Sequence, residues 1–294
     1  MVYRSPDRFA QEMSATTEIV IRVIAAAGLF AALAAWESLA PRRQLVAGRR
    51  PRWPSNIGVW IIDAMAVRLL MPIGAIGVAL IASERGWGLL NALKMPGWIA
   101  VLLGFVVLDL VIYAQHVVFH KVPWLWRLHR MHHADLDIDV TTGARFHPIE
   151  ILISMLIKIV AVVTIGVPAL GVLIFEVGLN ATSMFNHSNV ALPRWLEPIA
   201  RWFLVTPQMH QVHHSILREE TDSNFGFNLP WWDRLFGTYR REPQAGEQGM
   251  TIGIPMFRDP RELRLDRLLT QPFRDDPSAA KKSAVSPAGE TLSR

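Results

Sequence analysis

The chain has 294 residues, of which 51% are hydrophobic and 19% are charged, and its formal net charge is +5 at pH 7. It contains no cysteine, which excludes disulfides, cysteine-ligated zinc and iron–sulfur clusters, so any metal must bind nitrogen or oxygen ligands. The positive charge would suit nucleic acid, but the basic residues form no face interleaved with aromatic side chains, and we predict no nucleic-acid partner.

The apolar residues lie in long uninterrupted runs, which is the pattern of a membrane protein. A helix needs about 20 apolar residues to cross a bilayer core of about 30 Å. Three spanning helices are therefore predicted, over residues 19–36, 57–82 and 98–114. The first contains Arg22 and is followed by Trp36 and Glu37 rather than by a small-residue cleavage site, so we expect it to be retained.

Two further apolar runs, over residues 149–167 and 169–185, are separated only by the region around Gly166 and Pro168. A glycine and a proline between two apolar runs predict a tight turn, and hence a helical hairpin. Three charged residues in these runs, Glu150, Lys158 and Glu176, leave open whether the hairpin crosses the membrane completely.

The loop over residues 41–55 indicates the orientation of the chain, because it contains five arginines and no acidic residue. Loops of this kind lie in the cytoplasm. Counting the predicted helices onward from this loop places every histidine on the same, cytoplasmic side. We therefore expect a multi-pass protein of a bacterial inner membrane whose functional site faces the cytoplasm.

All ten histidines fall between residues 116 and 214, and eight of them form three groups with helical spacing. The groups are His116 and His120; His129, His132 and His133; and His210, His213 and His214. Residues three or four apart share a helix face, with Cβ atoms about 5–6 Å apart, so two imidazoles can chelate one ion or flank a pair. Eight ligands are more than one ion needs, and the isolated His147 and His187 are two further candidates.

The ligand set alone does not name the metal, since imidazole suits iron, zinc, copper and nickel. Val117 and Gln211 stand where the zinc protease motif His-Glu-x-x-His has its glutamate, which disfavours a metalloprotease. Two alternatives stay open. One is a membrane haem protein that carries electrons, although it leaves the third histidine group unexplained. The other is a zinc hydrolase or a non-catalytic scaffold that binds metal or lipid.

An ordered series of motifs over about residues 105–240 resembles the fatty acid hydroxylase/sterol desaturase superfamily of membrane oxygenases. The series reads Asp109-x-x-x-Tyr113-x-x-His116-x-x-x-His120, Leu125-Trp126-x-x-His129-Arg130-x-His132-His133, Thr141-Thr142-x-x-Arg145-x-His147-Pro148-x-Glu150, Asn186-His187-x-Asn189, Thr206-Pro207-x-Met209-His210-x-x-His213-His214, Glu220-Thr221-x-x-Asn224-x-Gly226 and Trp232-Asp233-Arg234-Leu235-Phe236-Gly237-Thr238-Tyr239. Many members of the superfamily have Asp directly after the first of these histidines, whereas this chain has Val117.

The resemblance implies a non-haem di-iron oxygenase. The eight grouped histidines would hold two metal ions, taken as iron although zinc can replace it in purified protein, with His187 and His147 completing the ligand set. O2 would be the co-substrate. The substrate would be a membrane lipid, either hydroxylated, which we prefer, or desaturated. Asp109 and Glu150 are candidates to orient ligand histidines, and we expect no catalytic residue beyond the metal centre.

A separate electron donor of the ferredoxin or cytochrome type is expected, because the chain contains no haem-attachment motif, flavin fingerprint or iron–sulfur cysteine set. The predicted fold class is all-α, a polytopic membrane helix bundle with a cytoplasmic histidine-rich di-metal domain. We divide the chain into N-terminal transmembrane helices (1–96), a catalytic domain that includes the third span and the hairpin (97–240), and a C-terminal tail (241–294) whose composition predicts partial disorder.

Overall fold

The structure, a computed structural model, describes residues 15–275, so the end of the predicted disordered tail lies outside the described residues. Within this range the regular structure is helical, apart from two isolated β-bridges that join Pro41 to Val190 and Ser215 to Ile252. The long helices are α1 (Ala15–Leu39), α2 (Trp53–Leu70), α3 (Gly74–Arg85), α5 (Gly97–Lys121), α6 (Pro123–His133), α7 (Pro148–Ile165) and α8 (Ala169–His187). The short ones are α4 (Leu89–Ala92), α9 (Glu197–Ala200), α10 (Pro207–His213), α11 (Arg218–Thr221), α12 (Trp231–Leu235), α13 (Gly246–Gly249) and α14 (Leu265–Thr270).

Five segments of the described chain are long and apolar enough to cross a membrane. They are Thr17–Leu39, Trp53–Ala92, Gly97–Lys121, Pro148–Ile165 and Ala169–His187. Both arms of the predicted hairpin, α7 and α8, meet this criterion despite their charged residues. The prediction of a polytopic helical membrane protein is confirmed.

The prediction of a single continuous helix over residues 57–82 is wrong, because α2 ends at Leu70 and α3 begins only at Gly74. Pro72 lies between them, and a proline has no N–H and disfavours the helical conformation of the residue before it. Met71 accordingly leaves the helical region, with φ −132° and ψ 61°, and Gly74 has a positive φ of 62°. The chain resumes its helix after this interruption, so a broken segment replaces the continuous one.

The two halves of this segment lead from one end of the bundle to the other. Trp53, at the start of α2, donates from Nε1 to Asp139 at 3.1 Å, at the end of the bundle where the histidines lie. Gly88, just after α3, packs against the turn between α7 and α8 so closely that a Cβ atom on it would lie 2.2 Å from the backbone nitrogen of Gly166. We therefore interpret α2 and α3 as one interrupted crossing.

The arginine-rich loop and the histidines lie at the same end of the bundle, as the sequence predicts. The guanidinium of Arg52 contacts Asp135, two residues after the end of α6, with Nε 2.6 Å from Oδ1. The backbone N–H of Arg42 donates to the carbonyl of Asn189, just after α8, at 2.9 Å. Two independent features of the sequence thus converge on one side of the membrane.

The centre of the bundle is formed by α3, α5, α7 and α8, whose buried apolar residues include Ala79, Leu108, Val162 and Phe175. Helix α1 packs on its outside. A charged cluster crosses this contact, because Glu176 accepts from Arg22 Nη2 and from Lys158 Nζ, each at 2.6 Å. An unpaired charge inside a bilayer is costly, so this pairing lowers the free-energy cost of burying the three ionisable side chains. The Arg22–Glu176 contact also links α1 to α8.

Candidate metal centre

Nine of the ten histidines form two adjacent buried clusters. The first contains His116, His120, His129, His133 and His213, and the second contains His132, His187, His210 and His214. In each cluster, one ring nitrogen of every member lies within 4.8 Å of the corresponding nitrogens of the others. This arrangement can hold a pair of metal ions.

Four helices bring the two clusters together. Helix α5 contributes His116 and His120 one turn apart, and the last residue of α8 is His187. Helix α6 contributes three members, and α10 with the residue that follows it contributes three more. Two local features start helix α10 at Pro207. The hydroxyl of Thr206 accepts from the N–H of Met209 at 3.3 Å and caps the helix, and Pro207 occupies the first helical position, which proline favours.

Neighbouring histidines in α6 and α10 belong to different clusters. His132 and His214 lie in the second cluster, whereas His133 and His213 lie in the first. Consecutive helical residues point about 100° apart, since a turn contains about 3.6 residues. Each His-His pair therefore serves both clusters at once, which keeps the two candidate ion positions close together.

The Nδ1 atoms of most cluster members contact acceptors that fix the position of the ring proton. Backbone carbonyls accept from four of them: Phe225 O from His116 at 2.7 Å, Arg145 O from His132 at 3.2 Å, Ser183 O from His187 at 2.7 Å and Ser223 O from His213 at 2.7 Å. A carbonyl oxygen can only accept, so the N–H is on Nδ1 and the lone pair is on Nε2. Nε2 is thereby free to bind a metal.

Two carboxylates contact further ligands in the same way. Glu150 Oε1 lies 2.6 Å from Nδ1 of His129, and Asp222 Oδ1 lies 3.2 Å from Nδ1 of His120. A carboxylate that accepts from a ligand histidine orients the ring and increases its basicity.

The Nε2 atoms face one another at distances that indicate a cation between them. Nε2 of His116 lies 3.0 Å from that of His129 and 3.1 Å from that of His213, and the Nε2 atoms of His132 and His187 are 3.0 Å apart. In the His116–His213 and His132–His187 pairs every Nδ1 donates to a backbone carbonyl, so these pairs bring lone pair against lone pair and are not hydrogen bonds. Metal–imidazole bonds of about 2.0–2.1 Å produce such spacings between adjacent ligands. The residues present therefore fit bound metal ions.

Burial keeps these imidazoles neutral, which is the form that binds metal. Burial lowers the pKa of His129 to about 3. Burial, reinforced by repulsion from neighbouring histidines, also lowers the pKa values of the other cluster members on α6 and α10, namely His132, His133, His210, His213 and His214. At neutral pH these six side chains are therefore neutral.

Aromatic side chains enclose the clusters. The ring of Phe146 stacks on His132 with centroids 4.4 Å apart, and Phe225 and Phe227 pack on His116 at 5.4 and 5.0 Å. Trp126 covers His120 at 4.9 Å. Apolar walls of this kind limit the access of water and lower the local dielectric constant.

The structure does not bring every predicted site residue to the clusters. His147 caps α7, where its Nδ1 accepts from the N–H of Ile149 at 3.2 Å and its Nε2 lies 3.1 Å from the carbonyl oxygen of Leu269. Both of its nitrogens are thus engaged away from the two clusters, whereas His187, the other isolated candidate, is a full member of the second. The geometry separates two candidates that the sequence could not rank.

The two candidate orienting carboxylates also differ. Glu150 contacts His129, a member of the first cluster. Asp109 instead accepts from Asn228 Nδ2 at 2.8 Å, from the N–H of Leu229 at 3.2 Å and from Trp232 Nε1 at 2.9 Å. Asp109 therefore fixes the segment that follows Phe225 and influences His116 only through that segment.

Sequence reasoning missed Asp222, which contacts His120 although the two residues are 102 positions apart. The only available signal was its position inside the motif that runs from Glu220 to Gly226. Neighbouring charges compensate this carboxylate, because Lys121 Nζ and Arg218 Nε lie 3.1 and 3.0 Å from its second oxygen.

Comparison with known proteins agrees with this geometry. A sequence model of the fatty acid hydroxylase family matches residues 101–238, which contain all nine cluster histidines. An ornithine lipid hydroxylase of Rhizobium tropici is 32% identical over 160 residues, which cover 54% of this chain and 47% of that protein. No solved structure matches the chain.

Two further relatives are more distant. An alkylglycerol monooxygenase of Xenopus tropicalis is 26% identical over 238 residues, covering 78% of this chain and 51% of the relative. A cholesterol 25-hydroxylase of Rattus norvegicus is 29% identical over 150 residues, covering 49% of this chain and 48% of the relative. The chain thus spans about half the length of each of these proteins.

Proposed function

We propose that the chain is an O2-dependent hydroxylase of a membrane lipid, and the match of residues 101–238 to the fatty acid hydroxylase family model supports this proposal. The observation that carries the proposal is the opposition of unprotonated Nε2 atoms about 3 Å apart, between His116 and His213 in one buried cluster and between His132 and His187 in the other. We propose His116, His120, His129, His133 and His213 as ligands of one ion, and His132, His187, His210 and His214 as ligands of the other.

We propose iron as the metal of both positions. An unactivated C–H bond has no acidic proton and no electrophilic centre, so its oxidation needs a redox metal that activates O2. Net hydroxylation inserts one oxygen atom into the C–H bond and releases the other as water, which consumes two electrons and two protons. The histidines hold the ions, Glu150 and Asp222 orient two of those histidines, and the aromatic walls exclude bulk water from the reacting carbon.

A membrane lipid is the substrate class that the position of the site supports. The ligand histidines lie at the ends of apolar helices long enough to span a bilayer, so a lipid can reach the site without leaving the membrane. The relatives are named for the hydroxylation or oxygenation of ornithine lipids, alkylglycerols and cholesterol. These compounds share an extensive hydrocarbon part, and we propose hydrocarbon hydroxylation as the common reaction, with desaturation as the second candidate.

We also propose that the histidine end of the bundle faces the cytoplasm of a bacterial cell and receives electrons there from a ferredoxin or a cytochrome. The five arginines of the loop over residues 41–55 support this orientation by the positive-inside rule. The absence of cysteine from the chain makes an internal iron–sulfur relay impossible, which supports a separate donor.

The haem-carrier alternative agrees less well with the geometry. Two axial imidazoles stand on opposite faces of a haem, so at about 2 Å from the iron their nitrogens are about 4 Å apart. The Nε2 pairs here lie at 3.0 to 3.2 Å, and each cluster contains more than two histidines. No porphyrin plane fits between nitrogens so placed.

The test is purification from iron-replete cells followed by metal analysis, absorbance and turnover in lipid nanodiscs. We expect about two irons per chain, no Soret band, and a lipid product that gains one labelled oxygen atom from 18O2 when a reducing system is supplied. A zinc-loaded preparation of the same protein is the matched control and should give no product. A Soret band would support the haem carrier, a product lighter by two hydrogens would support desaturation, and no turnover with any lipid would support a scaffold.

A further inference from the structure

An exposed apolar surface lies outside the five candidate spans, on residues 195–203 and 231–236. Its largest members are Trp195, Trp202, Phe203, Trp231, Leu235 and Phe236, which are between 43% and 71% exposed. We name it the lateral apolar surface. Soluble surfaces rarely expose so many large apolar side chains together, and a continuous patch of this kind marks an interaction site.

The two segments form one surface because they are held to each other. The indole N–H of Trp231 donates to the carbonyl of Trp202 at 2.7 Å. The guanidinium of Arg234 lies 4.2 Å from the ring centre of Trp202 and donates to the carbonyl of Arg201 at 3.1 Å. These contacts hold the two segments, and their exposed aromatic rings, in fixed positions relative to each other.

The lateral apolar surface lies beside the membrane-spanning part of α5. The ring of Phe236 stacks on Tyr113 with centroids 5.5 Å apart, and the indole N–H of Trp232 donates to Asp109 at 2.9 Å. Tyr113 and Asp109 precede His116 by one and two turns, so they lie about 5 and 10 Å from it toward the opposite end of the bundle. The surface is thus deeper in the bundle than the histidines.

The length of α7 indicates where the lateral apolar surface lies relative to a bilayer. Helix α7 has 18 residues, and Glu150 near its start contacts the ligand His129. A helix of that length is about 27 Å long, slightly less than a bilayer core of about 30 Å. The histidines therefore lie close to the membrane surface, and the lateral apolar surface lies within the adjoining leaflet.

Polar groups behind the surface suit the headgroup region of that leaflet. A pocket of about 400 Å³ adjoins Trp202, and its lining includes Tyr239 and charges of both signs: Arg194, Arg201, Arg234 and Arg241 with Glu197, Glu242 and Glu247. Tryptophan and tyrosine concentrate at membrane interfaces, where an apolar region meets a hydrated one. The arrangement of exposed aromatic rings beside a charged pocket is complementary to the interfacial region of a phospholipid leaflet.

We propose that the lateral apolar surface inserts into the phospholipid leaflet on the histidine side of the membrane, as a contact additional to the spanning helices. Its packing against Tyr113 and Asp109 of the spanning helix α5, together with its exposed tryptophans, favours lipid over a second protein as the occupant. This inference goes beyond the proposed function and does not depend on it, because neither metal nor substrate takes part.

The absence of cysteine makes spin labelling of single sites the direct test. We would prepare Trp202→Cys and Leu235→Cys, each spin-labelled in nanodiscs of phosphatidylcholine and phosphatidylglycerol. Accessibility to O2, which concentrates in the bilayer, would be compared with accessibility to a water-soluble nickel chelate. Leu156→Cys, on the exposed face of α7, is the control inside the membrane, and Arg261→Cys, whose side chain is 84% exposed, is the control in water.

We expect labels at positions 202 and 235 to be several-fold less accessible to the nickel chelate than the label at 261, with a ratio of O2 to chelate accessibility close to that at 156. Chelate accessibility equal to that at 261 at both positions would overturn the proposal. Protection from both reagents, with spin–spin broadening between chains, would identify a second copy as the occupant and would equally overturn it. Metal content close to that of the unsubstituted protein checks folding of each variant.

Discussion

His129 and Glu150 are joined by a contact of 2.6 Å between Nδ1 of the buried imidazole and Oε1 of the buried carboxylate. The opposite nitrogen of the same ring lies 3.0 Å from Nε2 of His116 and 3.2 Å from Nε2 of His133. One carboxylate at the start of α7 thus holds a histidine of α6 at the position where it meets two other histidines of the first cluster.

This contact predicts graded effects of substitution at position 150. Glu150→Ala removes the acceptor and should weaken metal affinity or activity by about 10–100-fold, whereas Glu150→Gln keeps an acceptor oxygen and should lose less. Metal affinity measured by competition with a chelator, together with turnover, would check this. Glu219→Gln on the exposed surface is the matched control. Unchanged affinity in Glu150→Ala would show that the carboxylate has no orienting role.

The division of neighbouring histidines between two clusters predicts separate losses of metal. His132→Ala should empty the second position and His133→Ala the first, so each variant should retain about one ion per chain and lose turnover. The cause is that each substitution removes a ligand from one cluster only. Metal analysis of purified variants is the measurement. Loss of both ions from each variant would indicate one shared site instead of two positions.

His147→Ala provides the matched comparison, because its imidazole lies outside both clusters. We expect full metal content and turnover, with a loss of about 1 kcal/mol of stability from the missing cap of α7. Thermal unfolding in detergent alongside metal analysis would check it. A fall in bound metal comparable to that of His132→Ala would restore His147 as a ligand.

Arg52 forms a buried network that we expect to dominate the stability of the histidine end. Its guanidinium donates to both oxygens of Asp135, at 2.6 and 2.8 Å, and also contacts Asp139. Arg52→Ala leaves two buried carboxylates without this partner and should cost about 3–5 kcal/mol. Thermal unfolding would measure the loss, with the exposed Arg50→Ala as control. Equal unfolding temperatures for the two variants would contradict this role.

The histidine pKa values predict how the stability of metal-depleted protein depends on pH. In the folded chain burial lowers the pKa of His129 from 6.5 to about 3, so between these values the unfolded chain binds more protons. The contribution of neutral His129 to the free energy of unfolding is therefore complete above about pH 6.5, and it falls as the pH is lowered toward 3. The slope is up to about 1.4 kcal/mol per pH unit for each histidine concerned.

Denaturant unfolding of chelator-treated protein at several pH values would measure this slope. The other five buried histidines of α6 and α10 have pKa values shifted in the same direction, so their contributions add to that of His129. A free energy of unfolding that stays constant between pH 6.5 and 4 would contradict the burial of these groups in their neutral form.

Most of the fold and the chemical class of the site follow from local pattern. In a bilayer, the backbone N–H and C=O groups of a long apolar run can form all their hydrogen bonds within a helix. Histidines three or four residues apart in a helix share one face of it. The same reasoning missed the interruption between Leu70 and Gly74, although Pro72 was a local signal for it. Short-range geometry therefore predicted the helices, the histidine groups and the side of the bundle on which they lie.

Only the tertiary structure decided which histidines act together. The sequence offered His147 and His187 as equal candidates, and packing of α8 against α5 and α10 brings one of them to the second cluster while the other caps α7. It also brought Asp222 to His120 and Arg52 to Asp135 across 102 and 83 residues. The physical reason is that spacing along a helix fixes only the direction of a side chain, whereas distances between helices depend on how their faces pack.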